Sequence, residues 1–452
     1  MSYNAAVSLK PPGRTGVAIA GGGILGMSLA LRLRAAGLAV TVLEGGAATG
    51  GLAAAARLGD YTWDRFYHVI LLSDLRTRGL IDELGLSDRL RWGTTRTGFY
   101  TDGRLHSLST TLEFLTFPPL SPFDKLRLGL TIFYASRLKE WHRLEDVPVE
   151  SWLMSLSGRH VVEKIWLPLL QSKLGDNYRH ASAAFIWAII ARMYAARRSG
   201  MKREMFGYVD GGYEVILSRL QARLDERGVE TSRGRRVTAV YEDGEGVELR
   251  FAEGRPRRFD RVVLTVPCRT IADLCPQLTA AERDRLRGVL YQGIVCASAL
   301  LRRPLGGFYV TNITDAGIPF TGVIEMTALV DRDRFGGNTL VYLPRYLTQA
   351  DAFWEKSDEE VRAEFVPALR RMFPHLEEED ILAFQVARAR DVLAISTLRY
   401  SAERLPPVRT SLPRTFIVNS AQIAAGTLNV NETLGVAESG ASELLRLWQE
   451  YP

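Results

Sequence analysis

The spacing of apolar and polar residues predicts alternating strands and helices near the N-terminus. Val17-Ala18-Ile19-Ala20 is a short apolar run that reads as a buried strand. Three glycines follow, then apolar residues at helical spacing to about Ala36, then a second apolar run, Val40-Thr41-Val42-Leu43. From Ser73 to about Arg203 the period changes to that of helices. They are expected over Asp74–Leu84, Pro122–Trp141, Glu150–Leu169 and Ala181–Ala196, with a short hairpin at Thr97-Gly98-Phe99-Tyr100 and Arg104-Leu105-His106 turning on Thr101-Asp102-Gly103. Strands resume at Val229–Thr231, Arg236–Tyr241, Val247–Phe251 and Arg261–Pro267, after a helix opened by Gly211-Gly212. A second excursion from Gln292 has strands at Phe308–Val310, Gly322–Ile324, Leu340–Leu343 and about Ala383–Arg388, and a helix over Asp358–Met372. A last strand, Thr415–Asn419, precedes a helix over Glu432–Trp448.

This order predicts an α/β fold. A Rossmann-like nucleotide domain is assembled from residues 15–72, 205–275 and 396–452. Residues 73–204 form a helical insertion and 276–395 a substrate domain on a mainly antiparallel sheet; residues 1–14 are a tail. At 452 residues the chain is too long for one core. A 46% hydrophobic and 24% charged composition fits a globular protein, and a net charge of +6 is too mild for a nucleic-acid footprint. Cys268, Cys275 and Cys296 have no metal-ligand spacing, so no metal is expected. No signal peptide or run of 18 apolar residues is present, which makes the cytoplasm the expected compartment. The basic segment Arg197-Arg198 with Lys202-Arg203, beside Met201 and Met205, reads either as a solvated face or as a peripheral contact with anionic lipid. Phe114–Pro119 and Leu126–Tyr134 read as core packing ahead of a lipid tunnel.

Gly21-x-Gly23-x-x-Gly26 lies between strand and helix, and Glu44 ends the second strand. The first glycine permits a tight turn, the second lets backbone approach a pyrophosphate, and the third lets helix and strand pack closely. Ile24 and Leu25 open a helix whose free N–H groups suit phosphate, and Glu44 suits a ribose hydroxyl pair. This pattern alone does not separate FAD from NAD.

Gly50-Gly51-Leu52, shortly after Glu44, and the segment Trp63-Asp64-x-x-x-His68 resemble the flavoprotein superfamily of protoporphyrinogen oxidase, monoamine oxidase, phytoene desaturase and UDP-galactopyranose mutase. Asp64-Arg65-Phe66-Tyr67-His68, Arg96–Tyr100, Lys173-Leu174-Gly175, Pro319–Glu325 and Leu340–Tyr346 are similar to its bacterial protoporphyrinogen-oxidase-like branch. The resemblance implies non-covalent FAD. It places Leu52 where an arginine is common, and Tyr67 and His68 near the flavin ring; Thr265, in the buried strand Arg261–Pro267 that ends in a turn, is a further cofactor-side candidate. The resemblance also places Asn419 near the ribityl chain, and Asn431 and Thr433 at a helix start facing the pyrimidine. Val237 takes the slot whose backbone reads adenine, and reads equally well as a plain strand residue.

His68 is the candidate base, or else a structural histidine. Tyr67, Lys173, Arg345 and Tyr346 are candidates for holding a small or lipid-linked, anionic substrate, with a structural role as the alternative for each. Cys296, a further substrate-side candidate or else a small buried core residue, occupies the slot of the lysine that amine oxidases of the superfamily carry near flavin N5. That departure argues against amine oxidation and rapid use of oxygen. Three functions are open at this point: an FAD-dependent oxidoreductase working by hydride transfer to flavin N5, a redox-neutral enzyme resembling UDP-galactopyranose mutase, and a non-catalytic flavin-binding partner. Nothing in the sequence speaks to oligomeric state.

Overall fold

The computed structural model describes residues 16–197, 205–424 and 426–450. The N-terminal tail, most of the basic segment around Met201 and Lys202, and Ala425 lie outside them.

A five-stranded parallel sheet is the first layer, in the order Glu230–Ser232, Val40–Leu43, Val17–Ala20, Arg261–Leu264, Thr415–Ile417. Val17 stands opposite Val40 on one side and Arg261 on the other. Its strands come from three distant parts of the chain. Val17–Ala20 is buried on both faces, which is why it reads as a continuous apolar run. Val17 and Ile19 pack into one core with the helix Ile24–Ala35, the helix Tyr213–Glu226 and the C-terminal helix Val430–Glu450. Ala18 and Ala20 pack into the opposite core, beneath the three-stranded antiparallel sheet Val237–Glu242, Val247–Phe251 and Arg257–Phe259.

A seven-stranded, mainly antiparallel sheet forms the second layer, in the order Ile381–Ala394, Tyr291–Leu301, Thr339–Leu347, Gly322–Glu325, Val310–Ile313, Thr97–Thr101, Arg104–Ser107. Tyr291–Leu301 is buried throughout. Its alternate residues sort into two cores: Val295, Ala297 and Ala299 lie in that of helix Asp358–Met372, while Ile294, Cys296 and Leu300 lie with Trp63, Phe66 and Tyr342. The second of these cores backs the functional site.

Residues 73–204 are not wholly a helical insertion. The hairpin Thr97–Ser107 joins the edge of the seven-stranded sheet, parallel to Val310–Ile313, and Leu90–Thr94 pairs with Met205–Val209. Such long-range pairing leaves no local signal. The hairpin turn is the expected Asp-Gly one, with φ of +54° at Asp102 and +69° at Gly103. The helix expected over Glu150–Leu169 is broken at Gly158, which takes φ +79°: Val149–Ser157 precedes it, and helical turns resume at Arg159 and run on to Leu174. Pro122–Arg137 starts on a reciprocal Ser121–Asp124 cap with proline at its first position, and ends short of Trp141. Core packing accounts for only part of its neighbourhood: Phe117, Leu120 and Leu128 are buried, but Leu115, Leu126, Leu130, Phe133 and Tyr134 are exposed. Among the described residues no helix is long and apolar enough to cross a membrane.

Candidate functional site

The site begins where the parallel sheet reverses its strand order, between Val17–Ala20 and Arg261–Leu264. Ligands of open α/β sheets sit beyond the carboxyl ends of strands at such a point. Gly21 leaves the first strand at φ +123°, donating its N–H to Leu43 O at 2.9 Å. A Cβ on Gly26 would stand 2.0 Å from Gly21 O, so the helix meets the turn backbone to backbone. Thr265 closes the turn from behind: its hydroxyl donates to Ala20 O at 3.0 Å and lies 3.1 Å from Gly21 O. A Cβ on Gly23, by contrast, would meet nothing nearer than 3.8 Å, the Cα of Gly51. The second glycine loop closes on the first, with Gly50 N–H donating to Gly22 O at 2.8 Å. A side chain on Gly51, at φ +60°, would press to 3.0 Å from Gly23 Cα.

These contacts leave a bare backbone cradle. Helix Ile24–Ala35 has no side-chain cap on Gly23 and no acid in its first turn, so its N-terminal N–H groups and positive dipole end are unsatisfied by side chains. Glu44 accepts from Gly22 N–H at 2.9 Å and Gly46 N–H at 2.6 Å. Each carboxylate oxygen keeps a further lone pair for a hydroxyl. This fits an adenine dinucleotide with its pyrophosphate at the helix end.

Arg65 is the residue that sequence reasoning missed. Leu52 leaves the cradle without the arginine common after the glycine pair. The hairpin Ala55–Leu58 with Tyr61–Asp64 folds Arg65 back instead, so that its guanidinium donates to Gly51 O at 2.8 Å. Its Nε is buried without a partner, and burial lowers its pKa. No local sequence signal marks it, because the register of that hairpin, Ala55 opposite Asp64, decides where it falls.

A second group lies deeper. His68 stacks obliquely on Tyr213, with centroids 4.8 Å apart, and its Nδ1 faces Asp64 Oδ2 at 3.8 Å with no hydrogen-bond partner. Nδ1 is enclosed while 18% of the side chain stays accessible, so the open part of the ring lies elsewhere on it. Asp64 accepts Tyr213 N–H at 2.7 Å, and its own carbonyl accepts the Tyr342 hydroxyl. Burial outweighs that amide bond and pushes the Asp64 carboxyl up to about 7, with Glu214 adding to the rise. Burial pushes His68 down to about 4. The group that titrates near neutrality is thus Asp64 rather than the histidine.

Tyr67 and Tyr346 share a hydrogen bond at 2.8 Å, and Lys173 Nζ lies 5.5 Å from the Tyr346 ring centre. Burial, with Tyr346 beside it, raises the Tyr67 phenol. Cys296 is buried in the same core, and its thiol is pushed far above the usual range by burial. Arg345 falls on the opposite face of its strand from Tyr346. Its guanidinium donates to Pro319 O at 3.1 Å and lies 4.1 Å from the Phe353 ring centre, away from the other three. The structure therefore brings Tyr67, Tyr346 and Lys173 together and leaves Arg345 apart.

The C-terminal candidates are tied into the scaffold. Asn419 accepts from Ala421 N–H at 3.1 Å and donates to Val266 O at 2.9 Å. Asn431 Oδ1 accepts from Arg76 N–H at 2.9 Å, docking the C-terminal helix on helix Leu75–Glu83. Thr433 donates its hydroxyl to Asn429 O at 2.8 Å, and Asn429 caps the helix by accepting Glu432 N–H. Val237 is half-buried, opposite Phe251, beside a register shift in its ladder. Among the described residues no group of acids, histidines or cysteines could hold a metal.

Residues 26–417 match the family described as flavin containing amine oxidoreductase. Coproporphyrinogen III oxidase of Mycobacterium tuberculosis is 28% identical over 292 residues, and that of Mycobacterium leprae 26% over 291. The first match covers 59% of this chain and 63% of the relative, so the chain spans less than two thirds of the curated relative's length. Among solved structures, putrescine oxidase bound to putrescine superposes with a TM-score of 0.72 at 18% identity, covering 96% of this chain and 100% of that one. A fatty acid isomerase from P. acnes, producing CLA, gives 0.70 at 15%, covering 96% and 98%. At those identities the likeness establishes the fold.

Proposed function

Because the chain belongs to the flavin containing amine oxidoreductases and is an FAD-dependent oxidoreductase, we propose that it holds FAD non-covalently across the carboxyl edge of the parallel sheet and oxidises or desaturates a small or lipid-linked substrate. The observation that carries this reading is the closure of two glycine loops, Gly21–Gly26 and Gly50–Gly51, onto each other beside an uncapped helix start. In this reading the helix N–H groups and Arg65 hold the pyrophosphate, Glu44 holds the ribose, and Thr265 keeps the turn in shape. When bound, the flavin supplies a hydride acceptor at N5.

The remaining work falls to this chain's side chains. His68 is neutral at physiological pH, and its enclosed Nδ1 faces Asp64 Oδ2. A proton taken up at the ring's other nitrogen would leave a cation whose charge is offset in the fraction of molecules where Asp64 already stands as carboxylate, a form it reaches as pH rises through about 7. Tyr67 and Tyr346 orient the substrate by hydrogen bonds. Lys173 offers a single cation, which suits a substrate with one anionic group near the reacting carbon. Cys296, a buried neutral thiol, offers no charge to assist reoxidation by oxygen, which favours a dehydrogenase or desaturase over an oxidase.

Anaerobic mixing of the flavin-loaded protein with candidate substrates, including the coproporphyrinogen III named by its relatives, tests this. Bleaching of the oxidised flavin band is expected for the true substrate. Turnover only after prior reduction, with no net redox change, would replace the proposal by a redox-neutral one of the UDP-galactopyranose mutase kind. A protein that neither carries nor takes up flavin would end both.

A further inference from the structure

Helix Pro122–Arg137 is apolar on two faces. One is buried: Leu128, Thr131 and Ala135 turn inward, toward the helices Val149–Ser157 and Ala183–Arg197. The other is not. Phe123, Leu126, Leu130, Phe133 and Tyr134 recur at steps of three, four, three and one, the spacing of a single helical stripe, and each is at least 50% exposed. Leu112 and Leu115 of the neighbouring short helix extend it, at 70% and 58%. Lys125 ties the two helices together by donating to Leu115 O at 2.8 Å. Single exposed apolar residues are ordinary, but a contiguous stripe of large ones marks an interaction surface.

The charges beside the stripe choose its partner. Lys125, Arg127, Arg137 and Lys139 lie on or next to the helix. Arg127 stands 5.8 Å from the Phe123 ring centre and Arg137 5.0 Å from that of Phe133, so both guanidinium groups lie alongside the apolar face. The two acids of residues 111–139 are engaged locally. Asp124 accepts from Ser121 at 2.6 Å and bonds His160 at 2.8 Å, and Glu113 accepts the N–H groups of Ser109 and Thr110. A second copy of the chain would bring these same cations against one another. A bilayer with anionic headgroups accepts both features at once: Leu and Phe enter the acyl boundary while the Arg and Lys heads reach back to phosphate.

We propose that the exposed face of Pro122–Arg137, with Leu112 and Leu115, is a docking surface for an anionic lipid bilayer. The proposal is independent of the flavin reading. It assigns Leu126, Leu130, Phe133 and Tyr134 neither to the core nor to a tunnel but to the outside of the molecule, while Leu128 stays in the core.

Sedimentation of the full chain with phosphatidylcholine vesicles, with and without phosphatidylglycerol, tests it. The chain is expected to pellet with the anionic vesicles and far less with the neutral ones. The combined variant Leu126→Gln, Leu130→Gln, Phe133→Gln should bind at least about tenfold more weakly. Because those side chains are exposed, its thermal midpoint and flavin content should match the parent. In a separate Phe133→Trp chain, an indole emission shift to the blue on adding anionic vesicles is expected. The proposal is overturned if neither vesicle binds, or if the triple variant binds as tightly as the parent. It is equally overturned if sedimentation velocity finds a parent dimer that the triple variant splits, since the face would then be a subunit interface.

Discussion

The two ends of the site are built from different materials. At the nucleotide end, Gly21, Gly26, Gly50 and Gly51 act through what they lack, and the contacts that matter run from backbone to backbone. At the proposed reaction end, Asp64, His68, Tyr67, Tyr213, Tyr342 and Tyr346 meet through contacts that each use at least one side chain, brought from segments up to 279 residues apart. The first kind of site tolerates almost no added atom. The second tolerates substitution of shape and is sensitive to charge. Substitutions at the two ends should therefore fail differently.

The largest effect is expected at Gly26. A valine there would drive its side chain into Gly21 O, and the turn has no slack because Thr265 fills the other side. Gly26→Val should lose flavin binding and about 3 kcal/mol or more of stability, read by flavin content and by urea unfolding. A stable, flavin-replete Gly26→Val would break the comparison. Next is His68→Ala, expected to slow flavin reduction about 100-fold with flavin content unchanged. Full-speed reduction would remove His68 from the chemistry.

Asp64 and His68 have opposing effects on pH dependence. The fold favours protonated Asp64, raised from 3.8 to about 7, so its contribution to stability falls as pH rises through that window and is fully lost above it. It favours neutral His68, lowered from 6.5 to about 4, so that contribution is complete above pH 6.5 and is lost as pH falls toward 4. Between pH 4 and 6.5 the two slopes cancel. Asp64→Asn should expose the histidine, giving stability that rises with pH by about 1.4 kcal/mol per unit in that range, and His68→Gln should expose the opposite slope. Urea midpoints across pH check both signs. Two flat profiles would show that the pair is not buried as described.

Arg65→Ala should weaken FAD by about tenfold, the worth of one charge-assisted hydrogen bond, measured by flavin fluorescence on titration. No change would mean that the helix end suffices alone. The smallest effect is expected for Tyr346→Phe, which removes only the bond to Tyr67: a shift in KM of about threefold with kcat unaltered.

The same contrast explains what was legible in the sequence. The first two strands, the glycine turn between them and Glu44 were readable because their signals lie within one short stretch and depend on backbone geometry. Helix Asp358–Met372 was readable because its period is local. Arg65 was not, since a hairpin register delivers it to Gly51. Asn419 and Asn431 stand in familiar positions, yet their amides are used on Val266, Ala421 and Arg76. Arg345 and Tyr346 are neighbours in sequence and opposites in the strand, which one residue of register decides. The exposed stripe of Pro122–Arg137 was mistaken for core because periodicity reports an apolar face but not what covers it.

The proposed cradle for FAD is made from three pieces of chain, and its most direct test is to unfold the purified protein and identify what it releases. Stoichiometric FAD in solution, with none left on the polypeptide, is the predicted result. A chain that releases no flavin and binds none when FAD is added would contradict it.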